Sequence, residues 1–265
     1  MTNDNRPIGL FDSGLGGLTV LKSLADAFPQ ESFLYVGDVA RLPYGNKSPE
    51  TVRKYGEQIL RFLKERDVKL LIIACNTAST VFLNDTQFEG LPLFNVIEPG
   101  SQAALAASAS KRIGVIGTST TVQGHAYQRT IQSLEASAQV WEEACPLFVP
   151  LAEEGMVNDE VTKLMAQRYL APLKTAQVDT LVLGCTHYPL LKPDIAQVMG
   201  EKVKLMESGQ VLVEILRAHF AQGGAAKRAL GSLKICTTDV TSHFARLARG
   251  LMGRRDFGEL ERIVL

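Results

Sequence analysis

Apolar residues fall in short unbroken runs along the chain: "IGLF", "SFLYVG", "VKLLIIA", "LPLFNV", "RIGVIG", "AQVWEE", "DTLVLG", "VKLM" and "LKIC". Runs of this length without strict alternation suit strands covered on both faces, which predicts a mainly parallel sheet flanked by helices. The intervening segments carry helical periodicity. In "SPETVRKYGEQILRFLKERD", Ser48 reads as an N-cap and Pro49 as the first helical residue, with Val52, Tyr55, Ile59, Phe62 and Leu63 on one stripe. Pro29 ends the earlier helix "GLTVLKSLADAF". Strands alternating with helices in this way predict an α/β fold.

The pattern occurs twice. "RPIGLFDSGLGGLTV", "FLYVGD" and "VKLLIIACNTAS" are followed by "KRIGVIGTSTTVQ", "AQVWEEACPLFVP" and "VDTLVLGCTHYPLL" in the same order. The first strands start at Ile8 and Ile113, 113 − 8 = 105 residues apart; Cys75 and Cys185 are 185 − 75 = 110 apart. Near-equal offsets predict two similar doubly wound domains related by an approximate twofold. "QVLVEILRAHF" and "LKICTTDVTSHFARLA" supply a further helix, strand and helix that fold back onto the first unit. The domains are therefore expected at 1–97 plus 208–265, and at 98–207. Ligands of open α/β sheets bind beyond the carboxyl ends of the strands, so the site is expected in the cleft between the domains.

Composition narrows the classes. The 265 residues are 46% hydrophobic and 21% charged, an ordinary globular balance. Lys plus Arg equals Asp plus Glu, 28 of each, which argues against a nucleic-acid partner. No run approaches the length needed to span a bilayer, and "MTNDNRPIGL" lacks a signal-peptide core, so a cytoplasmic protein is expected. There the four cysteines stay reduced, and any special one acts as a thiol.

Cys75 and Cys185 each follow an apolar strand and precede polar residues and a predicted helix start, where a thiol pKa is lowered. A lone buried cysteine is usually a small hydrophobe, but the duplicated context marks these two as functional. Two thiols on opposite faces of one carbon can remove a proton from one side and return it to the other, giving the mirror image. Cys145 and Cys236 lack that context and read as packing residues. Asp12 and Ser13 end the first strand and suit helix capping. The glycines of "FDSGLGG" fit neither nucleotide fingerprint, though such a turn admits a small anion. His187 is placed to hydrogen-bond Cys185, and no second Cys/His cluster supports zinc. His125, His219 and His243 lie in helical segments. Glu153 reads as a helix-starting glutamate. Arg41, Tyr44, Gly45 and Asn46 form a loop after the second strand, where substrate contacts gather.

Taken together, "IGLFDSGLGGLTV", "YVGDVARLPYGNKS", "IIACNTAST", "GVIGTSTTV", "ACPLFVPLAEEG" and "LVLGCTHYPLL" resemble the glutamate racemases. Those cofactor-independent enzymes interconvert L- and D-glutamate for bacterial peptidoglycan synthesis. The resemblance implies Cys75 and Cys185 as the two bases, the first taking the proton from D-glutamate and the second from L-glutamate. It implies that Asp12, Glu153 and His187 tune the thiols, and that Ser13, Tyr44, Gly45, Asn76, Thr77, Thr118, Thr121 and Thr186 hold the amino acid, with Asp12 and His187 also touching it. Neither pyridoxal phosphate nor a metal is implied. Glu207 in "LMESGQ" departs from the Asp-Ser that such enzymes more often show. An aspartate racemase, a two-lobed amino-acid-binding module and a thiol-disulfide oxidoreductase remain the alternatives, although "GCTHYPLL" favours glutamate over aspartate. A homodimer is expected, as for many cytosolic α/β enzymes.

Overall fold

The computed structural model of the protein describes residues 4–221, 230–253 and 255–265. Residues 1–3 of the N-terminal stretch lie outside the described residues. The strands are β1 (Ile8–Asp12), β2 (Phe33–Gly37), β3 (Leu70–Ile73), β4 (Gln87–Phe88), β5 (Leu91–Asn95), β6 (Arg112–Gly117), β7 (Gln139–Ala144), β8 (Thr180–Gly184), β9 (Lys204–Glu207), β10 (Leu233–Thr237) and β11 (Glu261–Arg262). The helices are α1 (Gly17–Ala27), α2 (Pro49–Glu65), α3 (Asn76–Val81), α4 (Ile97–Ala107), α5 (Ser119–Gln123), α6 (Ala126–Leu134), α7 (Phe148–Glu153), α8 (Glu160–Thr175), α9 (Lys192–Met199), α10 (Ser208–Ala221) and α11 (Ser242–Met252).

Among the described residues these strands form two sheets, ordered β11-β10-β2-β1-β3-β5-β4 and β7-β6-β8-β9. Every pairing is parallel except the β4–β5 ladder. The order β2-β1-β3-β5 in the first sheet recurs as β7-β6-β8-β9 in the second, so the sequence repeat is a repeat of topology. All nine apolar runs are strands. The two-residue strands β4 and β11 were not foreseen, being too short to carry a hydrophobic pattern.

Burial explains why the runs are unbroken. Ile8, Leu10, Leu70 and Ile72 enter one core, while Phe11, Leu71 and Ile73 enter another on the opposite face of the same sheet. The second sheet does likewise, with Leu181 and Leu183 on one side and Val182 on the other. Helix α2 starts as expected: Ser48 caps it, accepting from Thr51 N, with Pro49 first. Its stripe is buried at Val52, Ile59 and Leu63, and half-buried at Tyr55 and Phe62. From the second sheet the chain returns through α10, which packs on α1, and β10, which joins β2 in the first. No helix among the described residues is long and apolar enough to cross a membrane.

Candidate active site

Cys75 and Cys185 sit at the carboxyl ends of the topologically equivalent strands β3 and β8, and both line one cavity between the lobes. Ser13, Tyr44, Gly45, Asn76 and Thr77 line it from the first lobe, with Thr118, Thr186 and His187 from the second. Leu42, Pro43 and Val149 complete the wall; nothing polar or periodic in the sequence marked these three. Asp12, Thr121 and Glu153 are not in the wall and stand one hydrogen bond behind it. The cavity measures about 20 Å³, space for roughly one water. An amino acid needs more room than that, so the walls must shift to admit one. A larger cavity of about 900 Å³ lies among α1, α4 and α10 but shares no lining residue with the thiols, so volume does not locate the chemistry here.

The two thiols have different companions. Cys75 is the N-cap of α3: its Sγ accepts from Ala78 N at 3.4 Å and lies 3.6 Å from Ser13 Oγ. A depressed pKa was expected from that helix start, but the thiol is pushed up to about 12. Burial is the largest cause, the Asp12 charge adds to it, and the Ala78 N–H and Ser13 only partly offset them. Cys185 caps no helix; the chain turns through Thr186 and His187 into the short 3₁₀ turn Tyr188–Leu191 before α9. Its Sγ lies 3.8 Å from His187 Nδ1, and His187 Nε2 lies 3.0 Å from Glu153 Oε1. Burial disfavours the imidazolium, yet the Cys185 sulfur and then the Glu153 carboxylate outweigh it, so the His187 pKa is raised.

Two expectations about carboxylates need correction. Asp12 does not cap α1, whose N-cap is Gly16 with no side-chain bond. Instead Asp12 is fully buried and acts as a tie: Oδ2 accepts from Gly14 N at 3.0 Å, and Oδ1 accepts from Thr186 Oγ1 at 3.1 Å across the cleft. Glu153 ends α7 rather than starting a helix, the unfavourable end for a negative charge, and its partner His187 supplies the reason. His125 likewise precedes α6 with a left-handed backbone (φ 47°), and its Nδ1 lies 2.6 Å from Glu142 Oε2.

The hydroxyls of Thr77, Thr118 and Thr121 form a triangle with edges of 3.0, 3.0 and 3.1 Å, joining the lobes. Such a cluster can turn donors toward a carboxylate. Tyr44 is fixed by its hydroxyl donating to buried Asp38, which also accepts from Arg41 Nε at 2.6 Å and Thr238 Oγ1 at 2.9 Å. Asp38 and Thr238 escaped the sequence reading, because only the fold brings β10 beside β2. Glu207 pairs with Lys192. Cys145 and Cys236 do not line the cavity and, like Cys75 and Cys185, are buried and in no disulfide. Among the described residues no cluster of three or more His, Cys, Asp or Glu is placed to hold a metal.

Because the Asp12 charge raises the Cys75 pKa, Asp12→Asn is expected to lower it. The pH midpoint of iodoacetamide alkylation at Cys75, followed by peptide mass spectrometry, should move down. An upward or absent shift would contradict the electrostatic coupling.

The Asp/Glu/Hydantoin racemase family matches residues 10–216. The chain belongs to that family. A glutamate racemase of Geobacter metallireducens is 48% identical over 252 residues, 94% of this chain and 93% of that one. Among solved structures of the same family, a glutamate racemase from Bacillus anthracis superposes with a TM-score of 0.93 at 33% identity, covering 99% of each chain. Another, from Francisella tularensis in complex with D-glutamate, gives a TM-score of 0.87 at 33% identity, covering 98% of each.

Proposed function

We propose that this chain interconverts L- and D-glutamate without a cofactor, with Cys75 and Cys185 as bases on opposite sides of the α-carbon. The observation that carries the reading is the pair of thiols delivered by equivalent strand ends to one cavity. In one direction a thiolate takes the Cα proton while the facing thiol gives its own proton to the opposite face. The two sulfurs thereby exchange protonation states, and the configuration inverts. The carbanion between these events needs preorganised donors on the adjacent carboxylate, a role suited to Asn76, Thr186 and the threonine triangle. Closure of the lobes around the bound substrate removes competing water and strengthens those contacts.

The different surroundings divide the labour. Cys185 works beside His187, held by Glu153, whereas Cys75 works beside Ser13 and the first turn of α3. Supply of D-glutamate for peptidoglycan, a cytoplasmic location, a homodimer and the partition into 1–97 plus 208–265 and 98–207 belong to the same reading. The test is circular dichroism of L- or D-glutamate incubated with purified protein in deuterated buffer. Decay of the signal should accompany deuterium at Cα of the product, with aspartate at least about a hundredfold slower. Unchanged ellipticity, or product retaining its original proton, would exclude the mechanism; faster turnover of aspartate would change the substrate.

A further inference from the structure

Tyr127 touches the neighbours of both thiols while lining none of their cavity. It belongs to α6 of the second lobe, and its hydroxyl donates to Asn76 Oδ1 in the first lobe at 2.7 Å. Asn76 directly follows Cys75. Asn76 Nδ2 donates in turn to Ser208 Oγ at 3.3 Å, at the first residue of α10, where the chain crosses back to the first lobe. The ring packs against Gly184, the residue before Cys185: a Cβ there would stand 3.3 Å from Tyr127 Cε2. On its other edge Gly100 of α4 gives room, since a Cβ there would be 3.2 Å from Cε1 and 3.4 Å from the hydroxyl. The side chain is fully buried, and burial raises its pKa, so the phenol stays protonated and remains a donor.

We propose that Tyr127 is a positioning residue that sets the spacing of the two thiol-bearing strand ends, its hydroxyl anchoring the Cys75 side and its ring the Cys185 side. The inference rests on the racemase reading above. Two-base chemistry requires both sulfurs within about 3–3.5 Å of one carbon. A rigid ring locked between two glycines is a suitable spacer, because it has few rotamers to lose. Tyr127→Phe keeps the ring on Gly184 and removes the hydroxyl that holds Asn76 and meets Ser208, itself bonded to Asn76. The fault should therefore fall on Cys75.

Steady-state racemisation cannot reveal that bias. The equilibrium constant between enantiomers is unity, so kcat/KM must fall equally in both directions. Elimination of HCl from one enantiomeric pair of 3-chloroglutamate, D or L at Cα, separates the thiols. A thiolate removes the Cα proton, the C–Cl electron pair leaves with chloride, and water hydrolyses the resulting enamine to 2-oxoglutarate and ammonium. Each enantiomer calls on one thiol only. For Tyr127→Phe, elimination from the D-enantiomer should fall about tenfold while the L-enantiomer stays within about twofold. Equal loss for both, or no loss, overturns the positioning role. Ser208→Ala frees the other end of Asn76 and must bias elimination the same way, which keeps the inference testable if Tyr127→Phe folds poorly. A wild-type protein inert toward glutamate would overturn the parent reading; an active wild type with unbiased variants overturns only this one.

Discussion

Cys75→Ala and Cys185→Ala are each expected to lower kcat/KM for glutamate racemisation by about a thousandfold or more, the scale of a lost acid/base group. The loss must be equal for both enantiomers as starting material. The reason is geometric: with one sulfur gone, the remaining thiol can still take a proton from one face, but nothing returns a proton to the other. Elimination from 3-chloroglutamate should accordingly survive in Cys75→Ala for the L-enantiomer and in Cys185→Ala for the D-enantiomer. Both thiols are nearly buried, so unfolding of each variant is measured alongside to separate lost chemistry from lost fold. Retention of racemisation by either variant would refute the two-base assignment, whatever the state of the fold.

Gly16→Ala is expected to be nearly as damaging, although Gly16 is not in the cavity wall. Its backbone (φ −55°, ψ −35°) is helical and tolerates any L-residue, and alanine is the better helix former. The obstacle is the facing lobe: an added Cβ would lie 2.3 Å from Thr186 Oγ1 and 2.5 Å from His187 Nδ1. Neither can yield freely. Thr186 is bonded to Asp12, and His187 is held between Cys185 and Glu153. The methyl must push the lobes apart or turn His187 away from the thiol. Misplacement of about 1 Å at a reacting centre costs about a hundredfold, and that is the expected fall in kcat/KM. Overpacking should also lower stability by about 1–3 kcal/mol, read by denaturant unfolding. An activity within twofold of wild type would show that the cleft closes less tightly than these distances require.

The strands were legible because each is covered on both faces, which leaves an unbroken apolar run. The shared cavity of Cys75 and Cys185 was legible because duplication placed the two at the same point of two similar units. Short or polar elements such as β4 and β11 left no such trace. Glu153 was misread as a helix start because local sequence does not say that α7 ends there, nor that His187 waits across the fold. Asp38 and Tyr127 were invisible for a related reason: each gains its meaning from partners far along the chain, Thr238 for one and Asn76 for the other.

Periodicity and repetition are local properties, so the sequence alone determined the α/β class, the strand runs and which two cysteines occupy equivalent strand ends. Tertiary structure decided what surrounds them. Burial and the nearby Asp12 charge reverse the pKa shift that the start of α3 would give Cys75, because the cost of removing a thiolate from water exceeds the gain from its hydrogen bonds with Ala78 and Ser13. Desolvation depends on every atom packed around the sulfur, and those atoms come from residues far apart in the chain, such as Phe11, Tyr44 and Phe82 in the same core cluster.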